Sequence, residues 1–169
     1  MLSDCDKNLW IGFCQYRRYW LNENYDKSIA ITRDNLKVNM LSSVSLKWSD
    51  YNSVICKKIK VNNIKISKLL KHGKKSLIKD PSILLNKKKR TIKLHFDMWH
   101  GFGNLDKAIE LLNVSDRNDF RNYVNNNTAF NPNIMFISQP KIMNEWFKNL
   151  FKWLNDCESL FGFKNLSGY

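Results

Sequence analysis

The first strong pattern in the chain is an apolar run, Leu9-Trp10-Ile11-Gly12-Phe13-Cys14, too short for a buried helix and rich in β-formers, which predicts a buried strand over 9–14. Gln15-Tyr16-Arg17-Arg18-Tyr19-Trp20 follows directly. Open α/β sheets place ligands at this point, at the carboxyl ends of strands. Residues 22–50 are polar, with apolar patches only at Ile29–Ile31 and Val38–Leu41, and predict loop with short strands. Val54-Ile55-Cys56 predicts a second strand. Ile66, Leu69 and Leu70 mark a short helix over 64–72, with Gly73 as its stop. The surrounding basic segment, about 57–93, contains Pro81 and Lys87-Lys88-Lys89-Arg90 and reads as a mobile, solvated excursion.

The last third has clearer periods. Asn104 caps a helix carrying Leu105, Ala108, Ile109 and Leu112 at i, i+3, i+4 and i+7, and Ser115 caps a second with Phe120, Tyr123 and Val124 on one face. Residues 133–138 predict a strand, after which Ser138 serves as N-cap and Pro140 as an early-turn proline. A long helix to about residue 160 should bury Trp146, Phe147, Leu150 and Leu154. This order of strands and helices predicts one α/β domain over 1–169. Its central mixed sheet should hold 9–14, 53–56 and 133–138 as interior strands.

Composition narrows the class. A chain of 169 residues, 43% hydrophobic with 6 Gly and 3 Pro, suits one folded domain. No apolar run approaches the ~18 residues of a membrane span. Asp4 and Asp6 stand where a signal peptide would be basic and then apolar, so the chain reads as cytoplasmic. Cys5, Cys14, Cys56 and Cys157 make no Cys-x-x-Cys, which suggests neither a zinc ribbon nor a disulfide framework. The net charge of +13 is confined to the middle, where residues 47–93 hold 15 Lys+Arg against 2 Asp+Glu. With 22 Asn and 14 Ile in the chain, an AT-rich genome alone accounts for much of that lysine. A nucleic-acid surface over 57–93 would lack a stacking platform, since no aromatic lies between Tyr51 and Phe96; no specific nucleic acid is expected.

Two groups carry candidate chemistry. Arg17 and Arg18 can pair with phosphate oxygens and Tyr16 can stack on a base or sugar, although the same arginines would also anchor a strand end through salt bridges. In extended chain Gln15 and Arg17 share one face, Tyr16 and Arg18 the other. His95, Asp97 and His100 lie within six residues and offer a general base or metal ligands; in a strand His95 and Asp97 share a face, and a structural Asp–His hydrogen bond is the alternative. Asp4-Cys5-Asp6 is an Asp-x-Asp pattern, by which many sugar transferases hold a divalent metal, but it precedes the strand. No phosphate loop, Gly-x-Gly-x-x-Gly or Gly-x-Ser-x-Gly is present.

Trp10 to Tyr19 resembles the aromatic/apolar-x-Gly-apolar-x-His-Tyr-Arg-Arg-Tyr segment of a bacterial family long filed as a domain of unknown function, found in capsular and exopolysaccharide gene clusters and regarded as GT-A-type glycosyltransferases. Asp50 to Lys58 is similar to its Tyr-Asp-Ile-Ile-Leu-Pro-Lys strand, His95 to Leu112 to its His-containing segment, and Asn131 to Trp153 to its Asn-Met-Phe-Ile strand and Phe/Trp-rich helix. Asn165 to Tyr169 resembles the start of its last motif. Gln15 stands where the family has His, and Asn133 lies one position from the family's Asn.

The resemblance implies a GT-A-like, Rossmann-like central mixed sheet flanked by helices, with this chain lacking both ends. It further implies a nucleotide-sugar-dependent transferase, or its central part, in capsular, exopolysaccharide or lipopolysaccharide biosynthesis. Gln15, Tyr16, Arg17, Arg18 and Asn133 would bind the donor, and Asp97, His95 or His100 would deprotonate an acceptor hydroxyl. A divalent metal such as Mg or Mn is an optional cofactor. The expected partners are a nucleotide-sugar donor and a glycan or lipid-linked acceptor, at the cytoplasmic face of the inner membrane. A basic nucleic-acid-binding module and a non-catalytic truncated interaction domain are the alternatives.

Overall fold

The computed structural model describes residues 9–16 and 18–162 and is mixed α/β. Its contacts gather in two compact units, Met1–Lys57 with Asn133–Lys148, and Lys58–Pro132 with Asn149–Tyr169. Each is described by itself.

The first unit is built on a three-stranded sheet of β1 (Ile11–Gly12), β2 (Ser53–Ile55) and β5 (Phe136–Ser138), in the order β1-β5-β2. All three expected strand segments therefore meet in one sheet. The sheet is antiparallel rather than mixed, and only β5 has a neighbour on both sides. Ile137 and Ser138 on β5 are buried, whereas Leu9 and Phe13 beside β1 are partly open, so the first apolar run is an edge and not an interior strand. One cross-strand row holds Gly12, Ile137 and Val54, the next Ile11, Ser138 and Ser53. Phe13 and Phe136 pack edge-on and tilted against Phe147, and Trp146 stands T-shaped on Phe136, which brings the start of α7 (Pro140–Phe161) onto the sheet.

Residues 22–50 differ from the expected loop with short strands. They contain α1 (Arg33–Asn39), which Thr32 and Asn35 close with a capping box, and a 3-10 turn at Leu46–Trp48 capped by Ser45. The side-chain oxygens that made this stretch look like loop are the caps. Ser138 is not the N-cap of α7, although Pro140 does open that helix. Its hydroxyl is already committed, donating to the Asn52 carbonyl and lying 2.9 Å from the Ser53 hydroxyl, and Gln139 O accepts the first helical bond from Met143 N–H.

In the second unit β3 (Ile59–Lys60) pairs antiparallel with β4 (Ala129–Phe130). The basic segment is folded: α2 (Ile66–His72), α3 (Lys74–Lys79) and 3-10 turns at Pro81–Leu84 and Lys87–Lys89 follow one another. Leu69 and Ile83 join Leu94 and Met98 of α4 (Ile92–His100) in one apolar cluster. The lysines from Lys57 to Lys89 face solvent, but Arg90, at the end of the Lys-Lys-Lys run, is 4% exposed. A second cluster joins Leu105 and Ile109 of α5 (Asn104–Ile109) to Val124 of α6 (Val114–Asn126), as the helical period predicts. Gly103 and Asn113, one or two residues before the expected caps, are the observed N-caps.

Along α7 the buried residues are Pro140 and Met143. Trp146 is 37% and Leu154 46% exposed, so the expected burial of that whole face is not met. Trp153, which the periodicity passed over, donates its indole N–H to Ala108 O at 2.7 Å. No described helix is long and apolar enough to cross a membrane.

Candidate functional site

Past β1 the chain turns back tightly. Arg18 N–H donates to Gln15 O at 2.9 Å and the two residues form an antiparallel bridge, so the chain reverses between them. The extended alternation expected of Gln15 to Arg18 is replaced by this turn; Arg17 lies outside the described residues. Tyr16, next to the turn's start, is 84% exposed. The Arg18 guanidinium donates to the Asn133 side-chain oxygen, joining residues 115 positions apart. Because β1 and β5 are antiparallel, the carboxyl end of one and the amino end of the other share an edge, and this puts Asn133 within reach of the turn. Gln15, Tyr16, Arg18 and Asn133 thus belong to one end of the small sheet.

Beside that turn is a pocket of about 260 Å³. Period-two alternation sends Trp10, Gly12 and Cys14 to the same face of the first strand, and all three line it. Trp20, Met40, Leu41 and Trp48 close it from the other side, drawn back by the Leu21–Met40 bridge. The indole N–H of Trp20 is held by Phe13 O at 3.0 Å. Trp10 and Trp48 stand 5.9 Å apart at 55°, tilted rather than stacked. A Cβ at Gly12 would lie 3.0 Å from Ile137 Cγ1, so a side chain there would push Ile137 a few tenths of an ångström from its place in the lining. None of the residues lining this pocket carries a formal charge.

His95, Asp97 and His100 fall in the second unit, on a helix rather than a strand. At about 100° per residue, His95 points some 160° away from Asp97 and 140° from His100, so the shared face expected of His95 and Asp97 is lost. Asp97 is buried and occupied: Oδ2 pairs with Lys93 Nζ at 2.8 Å, and Oδ1 accepts the Gly103 N–H at 3.1 Å. Gly103 has φ +82°, a left-handed conformation that a side chain would strain. Asp97 therefore ties α4 to the turn that starts α5. Lys93 also pairs with Asp106 at 2.9 Å. Burial opposes its charge, but hydrogen bonds to Asp97 and Asp106 outweigh it and raise its pKa. His95 is half-buried against Trp99 and Phe130. Burial first, and then repulsion from His100, lower its pKa, which keeps the imidazole neutral.

Asp97 also borders a cleft of about 330 Å³ with Lys71, His72, Lys74, Lys75 and Phe102. The sequence pattern did not reveal this cleft or the tryptophan pocket, because each is assembled from distant elements. Among the described residues no three His, Cys, Asp or Glu gather as a metal-ligand group. Asp4-Cys5-Asp6 and Asn165–Tyr169 lie outside the described residues.

No curated protein and no solved structure matches the chain. A family model described as a domain of unknown function, DUF4422, matches residues 2–169, and the chain belongs to that family.

Proposed function

We propose that the protein is a nucleotide-sugar-dependent glycosyltransferase, or the central part of one, acting in capsular, exopolysaccharide or lipopolysaccharide biosynthesis. The observation that carries this reading is the pairing of Arg18 with Asn133 where the chain reverses after β1. There Asn133 takes one of the five N–H donors of the Arg18 guanidinium, and a diphosphate would engage the others. Charge that builds on the leaving nucleoside diphosphate is stabilised by this cation. Tyr16 and Gln15 stand beside it as donor contacts, with Arg17 next in sequence. A GT-A-like arrangement belongs to the same proposal and is supported by the mixture of helices and sheet.

Of the three side chains on α4, His95, whose pKa is lowered by burial and then by His100, is the general-base candidate. Asp97 is a positioning residue, since both its oxygens are engaged. The acceptor is a glycan or lipid-linked hydroxyl at the cytoplasmic face of the membrane.

Calorimetric titration with nucleoside diphosphates tests the reading. Losing one charge-assisted phosphate contact costs about 1.5–3 kcal/mol, or roughly ten- to a hundredfold in affinity. Arg18→Ala should weaken binding by that factor while Lys88→Ala leaves it unchanged. Equal losses in both variants would reduce the attraction to bulk charge and overturn the assignment.

A further inference from the structure

A nucleotide-sugar carries an uncharged ring at each end and a diphosphate between them. The tryptophan pocket has matching chemistry on one side of a cationic turn: its lining is uncharged and ends at Cys14, one residue before Gln15. At about 260 Å³ it is smaller than the ~300 Å³ where pockets for whole drug-sized ligands begin, so it has room for one ring system.

We infer that this pocket, formed by Trp10, Trp20 and Trp48, is the slot for the donor's nucleobase. The inference rests on the donor reading above. A sugar ring is the competing occupant, and its hydroxyls decide against it. A hexose brings about five, each needing a partner once water is excluded. The side chains of the lining offer the Ser42 and Ser43 hydroxyls, the Cys14 thiol and the indole N–H groups of Trp10 and Trp48, which only donate, while the Trp20 N–H is spent on Phe13 O; hexose O–H groups would find few acceptors among them. A base has two π-faces and only a few polar edge groups, and stacking on aromatic side chains meets most of its needs. Trp10 and Trp48, tilted at 55°, have not consumed each other's faces in a parallel stack.

The pocket contains its own reporter, because Cys14 lines it and is exposed, while Cys157 is elsewhere in the chain and half-buried. Alkylation of the full chain with iodoacetamide, read by peptide mass spectrometry, should be slowed at Cys14 and not at Cys157 by adenosine, guanosine, uridine or cytidine. Glucose should have no such effect. Trp48→Ala should weaken nucleoside diphosphate binding by roughly 5- to 150-fold and leave inorganic pyrophosphate binding unchanged, and Trp48→Phe should restore most of the loss.

Protection of Cys14 by glucose and by none of the nucleosides would overturn the inference in favour of a sugar site. Diphosphate binding that depends on Arg18 but ignores Trp48, with Cys14 unprotected, would overturn it while the donor reading stands. Protection of Cys14 by a nucleoside, with no response of the diphosphate to Arg18→Ala, would support the slot and remove the phosphate assignment. The protection experiment needs no variant, so a failure of Trp48→Ala to fold does not disarm the test.

Discussion

Replacing Arg90 should destabilise the second unit more than any change in the neighbouring lysines. Its guanidinium is buried and donates to four backbone carbonyls: Nε to Ile83 at 3.1 Å, Nη2 to Leu84 at 2.8 Å, and Nη1 to Ile64 at 3.2 Å and Asn62 at 3.4 Å. These acceptors come from the chain before α2 and from the 3-10 turn after α3, so one side chain pins two stretches that are not adjacent in sequence. Each of the four carbonyls left dry costs about 1–3 kcal/mol, so the low end for the set is about 4 kcal/mol. Arg90→Met should therefore lose at least about 4 kcal/mol. Arg90→Lys keeps the charge, but three ammonium donors cannot serve four acceptors, and it should lose about 1–3 kcal/mol. Whole-domain stability is typically about 5–15 kcal/mol, so the first loss is severe. In urea unfolding the midpoint should fall in the order wild type, Lys variant, Met variant, with the slope unchanged. Lys88→Met, at an exposed position of the same run, should stay within about 0.5 kcal/mol. An Arg90→Met midpoint equal to wild type would refute the claim that these four bonds hold the segment.

Gly12→Ala should cost about 1–3 kcal/mol, because the new methyl meets Ile137 Cγ1 at 3.0 Å. Ile137→Val should recover part of that loss in a double-mutant cycle, and strictly additive losses would show the two positions are not coupled. The folded-state pKa of His95 is lowered, so its contribution to stability is complete above the unfolded value of about 6.5 and is lost as pH falls through the lower folded value. His95→Gln should flatten the stability profile over that acid window, and an unchanged slope in thermal melts between pH 7 and 5 would count against the burial argument.

Local periodicity was legible where one element packs a single face in one place. The pattern Leu105, Ala108, Ile109 put α5 within a turn of its true position, and the residues from Pro140 onward do form one helix. It failed where polar side chains serve as caps: Thr32 and Ser45 made helical residues look like loop. Over 57–93 it found the helix that carries Leu69 and stops at Gly73, but thirteen lysines mask Ile83 and Arg90, both buried, and with them the folding of the rest of the segment. Charge density alone does not say which cation is solvated. Arginine at the end of a lysine run was the available signal, since a guanidinium is less strongly hydrated than an ammonium and is preferred at buried positions.

The site divides the same way between what is local and what is not. The Tyr-Arg-Arg motif could be found because its residues are consecutive and follow an apolar strand. Asn133 was reachable through family resemblance, and it meets Arg18 because β5 runs antiparallel beside β1. The tryptophan pocket had half a signal: alternation along 10, 12 and 14 fixes one wall. Its other wall depends on the reversal between Gln15 and Arg18, the bridge from Leu21 to Met40 and the 3-10 turn that delivers Trp48, and the bridge that joins these local pieces is a pairing between distant residues. Gly12 links the two walls, because the side chain it lacks is the space Ile137 fills. A glycine inside an apolar strand is by itself a mark of close approach. Here that approach seats the buried β5 against the edge strand, so the residue that looks least chemical in Trp10-Ile11-Gly12-Phe13-Cys14 sets the floor of the pocket.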